Sequence, residues 1–191
     1  MVVTLAILLA ALAVGAPSAQ AALDPPKLGK TVNVRPVKGQ VFVNGEHLTE
    51  PRQIPVGSRI DTRTGTVRLT SARDESGATQ SGRFSRGRFR VRQADDGLTV
   101  LRLTGSRKAF ETCSGKRTIR QLRASVHGNF RTRGRYSSAT ADGTVWVTKD
   151  SCNTTLTVVA RGQVEVDDFR RNRTVTVSAG ERYTAGASSK R

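Results

Sequence analysis

The 191-residue chain has little of what most enzymes and metal proteins rely on. It contains two histidines, two cysteines and one tryptophan, and aromatic residues make up only 5% of it. It has no Gly-x-Ser-x-Gly elbow, phosphate loop, His-Glu-x-x-His or dinucleotide fingerprint. His47 lies in a turn cluster beside Asn44 and Glu46, and His127 precedes Gly128, which is typical of a hairpin tip. We therefore expect no catalytic residues, no metal site and no cofactor.

Acidic residues are also scarce: 15 Asp and Glu stand against 32 Lys and Arg, a net charge of +17. Asp95-Asp96 and Asp167-Asp168 are adjacent pairs. In a strand, neighbouring side chains point to opposite faces, so neither pair could readily share a proton or a metal ion. We expect turn chemistry at both pairs.

Long apolar runs are limited to the N-terminus. Residues 1–22 are almost wholly apolar, and Ala19-Gln20-Ala21 offers the small-x-small pattern of a signal peptidase site, although no Lys or Arg precedes the run. The run is shorter than the roughly 20 residues of a membrane-spanning helix. We expect a cleaved signal peptide and a protein that is secreted, periplasmic or associated with the cell wall. An uncleaved anchor and a buried helix are the alternatives.

Cys113 and Cys152 are the two cysteines. In an exported chain the simplest interpretation is a disulfide, with a metal pair or free thiols as alternatives. Closing a loop of about 40 residues would stabilise the fold by roughly 4 kcal/mol if the effect is entropic.

A repeated pattern predicts the fold class. Residues 39–43 and 162–166 are alternating segments that each begin with glycine, and each is followed 18 residues after that glycine by another, Gly57 or Gly180. Turn glycines around alternating strands predict β-hairpin units. Regularly spaced strands and turns predict an all-β sandwich or jelly roll, preceded by the signal peptide helix. The predicted strands are residues 31–36, 40–43, 58–61, 66–71, 88–93, 98–104, 138–141, 143–149, 154–160, 162–166 and 175–177.

The remaining segments are less regular. Residues 73–81 are predicted to be a polar loop and residues 108–116 to be irregular. Residues 117–126 fit a helical spacing, but we favour a strand that leads into a hairpin at His127-Gly128. Trp146 is predicted to lie in the core. The expected organisation is a signal peptide at 1–21, a flexible entry at 22–30, a β domain at 31–185 and a disordered tail at 186–191.

Two long stretches carry a resemblance to a known family. Gly39-x-Val41-x-Val43, then Ile54-x-x-Gly57-x-x-Ile60, resemble the FecR-type domain, named after the iron-dicitrate transport regulator. The stretch from Arg135-Tyr-Ser-Ser-Ala-Thr through Gly143-Thr-Val-Trp146 to Ala179-Gly180 does so too, and the central segment resembles small exported actinobacterial proteins of unknown function. The resemblance implies a β-sandwich outside the inner membrane that takes part in recognition. Because only three residues precede the apolar run, we do not expect the regulator's cytoplasmic control of a sigma factor.

The positive charge is concentrated. Residues 83–135 hold 15 Lys and Arg against Asp95, Asp96 and Glu111. Within them, residues 88–92 and 131–135 alternate arginine with other residues, so each run would place three guanidinium groups on one face of a strand. The planar guanidinium can grip phosphate, sulfate or carboxylate with two hydrogen bonds. The predicted polyanion-binding residues are Arg88, Arg90, Arg92, Arg131, Arg133 and Arg135.

A solvated face that only keeps the protein soluble is the competing interpretation of these arginines. The functional prediction is an exported, non-catalytic binding or scaffolding module of the cell envelope, with an anionic envelope polymer or a protein as its partner. Peripheral contact with a membrane is compatible with the charge, whereas sequence-specific nucleic-acid recognition is not expected. The alternative is a membrane-anchored signal-relay module that binds a protein partner. The sequence predicts no oligomeric state.

Overall fold

The computed structural model describes residues 23–115 and 117–186. The expected signal peptide and residues 187–191 of the expected tail lie outside them. Of the described residues, 63% lie in strands and 3% in helix, which confirms the all-β prediction. In chain order the strands are β1 (Thr31–Val43), β2 (Glu46–His47), β3 (Arg52–Pro55), β4 (Arg59–Ala72), β5 (Thr79–Ser85), β6 (Arg88–Gln93), β7 (Thr99–Leu103), β8 (Thr118–His127), β9 (Phe130–Arg133), β10 (Ser137–Ala141), β11 (Val145–Ser151), β12 (Thr154–Arg161), β13 (Gln163–Asp168), β14 (Arg173–Ser178) and β15 (Arg182–Gly186). A short helix, α1 (Arg107–Glu111), lies between β7 and β8.

The strands form one continuous hydrogen-bonded sheet that folds over into two layers. Its order is β14-β13-β10-β9-β7-β6-β4-β5-β8-β11-β12-β15, with β1 alongside β4 and with β2 and β3 on β1. Residues 59–61 of β4 pair with β6, whereas residues 66–72 pair with β5. The strand therefore passes from one layer to the other. We call the layer from β6 to β14 the front layer and the layer from β5 to β15 the back layer.

Two facing glycines allow the fold-over. Gly39 in β1 lies opposite Gly65 in β4, between register shifts in the β1–β4 pairing. A Cβ on Gly39 would lie 2.2 Å from the Thr64 carbonyl oxygen, and one on Gly65 would lie 2.3 Å from that of Gln40. Gly39, with a φ of +64°, is thus a bend inside a long strand and not the predicted turn. Predicted strands 31–36 and 40–43 are one strand, as are 58–61 and 66–71.

The two predicted hairpin units have different outcomes. The unit at residues 162–180 is confirmed, because β13 pairs antiparallel with β14 and Val164 lies opposite Val177. The unit at residues 39–57 is wrong in its second strand. The end of β1 pairs with β2, while β3 pairs with residues 31–34 at the other end of β1.

The core lies between the layers. Phe84 of the back layer packs against Phe89 and Phe130 of the front layer, with ring centroids 5.7 and 5.6 Å apart. Trp146 is fully buried, as predicted, and its indole N–H donates to Thr132 Oγ1 at 2.8 Å across the layers. A buried indole N–H needs such a partner, so this bond fixes how the layers stack.

Several local predictions are settled by strand pairing. Residues 118–127 form a strand, as favoured. The hairpin at His127-Gly128 is wrong: β8 pairs with β5 and β11, and β9 pairs with β7 and β10 in the other layer. Gly128, with a φ of +110°, is where the chain crosses between layers.

The elements that were not predicted include β15, β5 and α1. β5 overlaps the expected loop at residues 73–81, because buried Gln80 and Gly82 interrupt its apolar alternation. Gly82 is needed there, since a Cβ would lie 2.5 Å from the Phe84 ring. α1 lies in the segment expected to be irregular, and the Ser106 side chain accepts a hydrogen bond from the Ala109 N–H at its start.

The predicted disulfide is present. Cys113, just after α1, is bonded to Cys152 between β11 and β12, with the Cα atoms 5.7 Å apart. It ties the α1 segment to the back layer. Ahead of β1, the Asp24 and Pro25 carbonyl oxygens accept hydrogen bonds from the Gln53 amide. No helix among the described residues is long and apolar enough to cross a membrane.

Candidate anion-binding face

The first predicted arginine run lies on β6 with the expected alternation. Phe89 and Val91 are fully buried in the core, so the side chains between and beside them point outward. Arg88 and Arg92 are exposed and Arg90 is half-buried. The strand therefore presents three guanidinium groups on the outer side of the front layer.

The second run shares this outer side. Arg131 and Arg133 lie on β9, on either side of the fully buried Thr132, and Arg135 follows just beyond the strand. β9 runs parallel to β7, which in turn pairs with β6. The structure thus brings the two runs, about 40 residues apart in sequence, onto one face with a single strand between them.

The register aligns four arginines across neighbouring strands. Arg59 lies opposite Arg90, Arg90 opposite Arg102, and Arg102 beside Arg133. We call Arg59, Arg90, Arg102 and Arg133 the arginine row. Strands in a sheet lie about 4.8 Å apart, so the row runs about 14 Å across four strands. Within residues 23–115 and 117–186, none of the four forms an ion pair.

Arg59 and Arg102 were missed by the sequence reasoning. Arg102 alternates with the buried Leu101 and Leu103, and Arg59 stands between the buried Ser58 and Ile60. The alternation in the sequence therefore predicts that both side chains point outward. The sequence does not predict that these single arginines lie beside the two runs, because strand register is set by contacts distant in sequence.

Three of the six predicted arginines are engaged within the protein, and one of them, Arg133, stacks on the Phe169 ring, 4.7 Å from its centroid. Arg131 donates from Nε to Thr140 Oγ1 at 2.7 Å and lies 3.7 Å from the Asp167 carboxylate. The Arg135 guanidinium stacks on the rings of Phe110 and Tyr136, at 4.9 and 5.4 Å from their centroids. The contacts of Arg131 and Arg135 draw these two side chains toward the margins of the face.

A buried carboxylate holds the backbone at Arg135, at the margin of the arginine face. Asp150 is fully buried, accepts a hydrogen bond from the backbone N–H of Arg135 at 3.1 Å, and pairs with the Arg120 guanidinium. Arg120 also stacks on Phe110, so this ring of α1 is held by two guanidinium groups, each 4.9 Å from its centroid. Cation–π contacts and the disulfide together hold α1 beside the arginine face.

A shallow depression adjoins the Arg59 end of the row. It is lined by Phe42, Asn44, Arg59, Arg88 and Ser106, among others. Phe42 is a half-buried aromatic on the outward side of β1, and its ring lies 5.3 Å from that of His47. The depression thus combines a ring face, an amide and hydroxyl groups with four arginines and the Asp61 carboxylate.

The acidic group of this region is already neutralised. Asp61 accepts hydrogen bonds from Arg63 Nε and Nη2 at 3.0 and 2.8 Å. Partial burial opposes ionisation, but the hydrogen bonds from Arg63 and the charge of nearby Arg88 outweigh it and lower the pKa of the Asp61 carboxyl. Asp61 is ionised at neutral pH and is paired with Arg63; it lies opposite Arg88, beside the row and not within it.

The back layer carries a shorter row. Arg35, Arg68 and Arg83 lie opposite one another on β1, β4 and β5. On β4 the outward neighbours of Arg68 are Thr66 and Thr70, whereas on β6 the outward neighbours of Arg90 are two further arginines. The charge is therefore denser on the front layer. The back row offers an internal control for every test of the front row.

The other singled-out polar residues have structural roles. Asp96 caps its turn by accepting from the Leu98 N–H at 2.9 Å. Asp168 points inward and accepts from the N–H groups of Arg170 and Arg171, while Asp167 points outward, as predicted for an adjacent pair. Among the residues described, no group of three His, Cys, Asp or Glu side chains could hold a metal ion.

Comparison of the chain with protein-family models, with curated proteins and with solved structures gives no match.

Proposed function

We propose that the protein is an exported, non-catalytic binding module that holds an anionic polymer of the cell envelope on its arginine face. The observation that carries the proposal is the arginine row, four arginines in register on adjacent strands with no Asp or Glu between them. Guanidinium groups at strand spacing suit a ligand with repeated negative charges, because each can bind a carboxylate, sulfate or phosphate with two hydrogen bonds.

The row costs folding energy, which favours a binding role over mere solubility. Like charges directly opposite each other in a sheet are destabilising; the row contains three such pairs, and the back row contains two. A soluble surface could disperse the same charges among the threonines and serines that occupy other outward positions. A polyanion bound along the row would relieve the repulsion.

Export is supported by two features. Disulfides form and persist in oxidising compartments, and the Cys113–Cys152 bond fits such a location. The apolar N-terminal segment with its small-x-small pattern supports the same location. The resemblance to FecR-type domains supports a recognition role outside the inner membrane. We propose no catalytic step for this face, since guanidinium groups bind anions and are not themselves nucleophiles or general acids or bases at neutral pH.

The test compares two triple variants that lose the same charge. R88Q/R90Q/R92Q removes the three outward arginines of β6, which we call the β6 column, from the front layer. R35Q/R68Q/R83Q removes the row of the back layer. We expect the first variant to elute from an anionic matrix at clearly lower salt than the second. Equal elution of the two variants would mean that only net charge matters, and unchanged retention of R88Q/R90Q/R92Q would remove the front face from consideration.

A further inference from the structure

The geometry points to the ligand class and to its direction on the protein. We propose that the arginine row is a track for a linear acidic polysaccharide with one carboxylate on each sugar, and that the polymer lies across the strands and not along them. This inference rests on the proposed function.

The repeat of the row supports a sugar-acid polymer. Adjacent arginines of the row are one strand spacing apart, about 4.8 Å, whereas arginines along β6 are two residues apart, about 6.7 Å. A sugar ring with its linking oxygen advances a polysaccharide by about one strand spacing. Carboxylates of neighbouring sugars point to different sides of such a chain. A chain that lies with its carboxylates to the left and right of the row keeps each of them within reach of one flexible arginine side chain. Along β6 the spacing of the arginines is longer than the advance per sugar, so the mismatch between arginines and sugars grows with each residue pair.

The row is also the more continuous of the two directions. It crosses four strands from Arg59 to Arg133 without an acidic residue, and Asp61 lies to one side of it, paired with Arg63. The β6 column contains only three arginines and ends at Gln93, before the turn that carries Asp95 and Asp96. A polymer that followed β6 would run toward these carboxylates. The line of the row continues past Arg133 through Ser138 of β10 before it reaches Asp167 of β13, a carboxylate that lies 3.7 Å from the Arg131 guanidinium.

The surroundings suit sugars better than nucleic-acid bases. Phe42, Asn44 and Ser106 in the depression beside Arg59 offer a ring for stacking on a sugar and polar groups for its hydroxyls. Single-stranded nucleic acids stack successive bases on several aromatic side chains, whereas, of the residues that the structure describes, Phe42 is the one Phe, Tyr or Trp that lines this depression. At the other end of the row the Phe169 ring remains 40% exposed, and one of its faces is in contact with the Arg133 guanidinium, 4.7 Å from the ring centroid.

The experiment uses oligogalacturonates of two to eight sugars and two double variants of equal charge. R59Q/R102Q removes two members of the row. R88Q/R92Q removes the two arginines that flank Arg90 on the same strand and leaves the row intact. Affinities are measured by isothermal titration calorimetry at one fixed, low salt concentration, after thermal melts have shown that both variants are folded.

We expect wild-type affinity to rise with length up to about four or five sugars and then to level off, because the row has four cations. R59Q/R102Q should lose at least tenfold in affinity for the hexamer, and R88Q/R92Q no more than about threefold. Equal losses, or a larger loss in R88Q/R92Q, would overturn the track.

The failure of this inference is distinguishable from that of the proposed function. If polyphosphate or a single-stranded DNA of matched charge binds tighter than the hexamer, the polysaccharide is wrong and binding of anionic polymers stands. If wild-type protein binds none of these probes, both are wrong.

Discussion

Replacing Arg102 by glutamine should stabilise the protein, although it removes a side chain from a folded sheet. Arg102 has arginines on both sides, Arg90 and Arg133, so the substitution removes two of the three like-charge pairs of the row. Two unit charges roughly 6 Å apart repel by about 0.7 kcal/mol in bulk water, so two pairs amount to about 1.4 kcal/mol at low salt. At physiological ionic strength the screening length is about 8 Å, and the gain should fall to about half.

The assay is thermal unfolding followed by circular dichroism at about 10 mM and at physiological salt. For a domain of this size, 1 kcal/mol shifts Tm by about 2–4 °C, so R102Q should melt roughly 3–5 °C higher at low salt and about 2 °C higher at physiological salt. R161Q is the matched control, because Arg161 is exposed on the back layer opposite Val145 and its loss changes the net charge equally. A Tm gain in R102Q that equals that of R161Q, or that does not shrink with salt, would refute the reasoning.

Three further predictions concern other parts of the molecule. Asp168 is buried; burial raises its pKa, but hydrogen bonds from Arg171 and Tyr183 outweigh this and lower the pKa from 3.8 to about 2. The contribution of the ionised Asp168 carboxylate to the free energy of unfolding is therefore fully present above pH 3.8 and is lost as the pH falls toward 2. D168N should lower the free energy of unfolding by about 2 kcal/mol at pH 7. Urea unfolding of both proteins at pH 7 and pH 2 checks this, and an equal loss at both pH values would contradict it. C113A/C152A should lower the free energy of unfolding by about 2–5 kcal/mol relative to the oxidised wild type. Urea unfolding of the variant and of the reduced and oxidised wild type measures this loss. An unchanged urea midpoint of the wild type after reduction would contradict a stabilising disulfide. F42L should weaken binding of the galacturonate hexamer severalfold by calorimetry while leaving polyphosphate binding unchanged, and parallel losses for both ligands would remove Phe42 from sugar contact.

Alternation within a strand made much of the fold predictable. Buried and exposed positions on β6 follow directly from Arg88-Phe89-Arg90-Val91-Arg92, because successive side chains of a strand point to opposite faces. The β13–β14 hairpin was predictable for the same reason, since its strands are joined by a short turn. The disulfide followed from the cysteine count and the expected compartment.

Features that depend on distant contacts could not be predicted. The parallel pairing of β7 with β9, which aligns Arg102 with Arg133, joins strands separated by α1 and β8. The bend at Gly39 and Gly65 appears in the sequence only as two glycines, each of which is equally consistent with a turn. Likewise, Gly128 reads locally as a hairpin tip, and only the partners of β8 and β9 show that the chain crosses between layers there.

The most direct test of the arginine row is an NMR titration of the arginine Nε–Hε resonances with the galacturonate hexamer. The structure predicts that the resonances of Arg59, Arg90, Arg102 and Arg133 shift together and saturate at one equivalent, while those of Arg35 and Arg68 on the back layer stay in place. Shifts of similar size on both layers, or shifts confined to the back layer, would contradict a binding site built by the alignment of four strands.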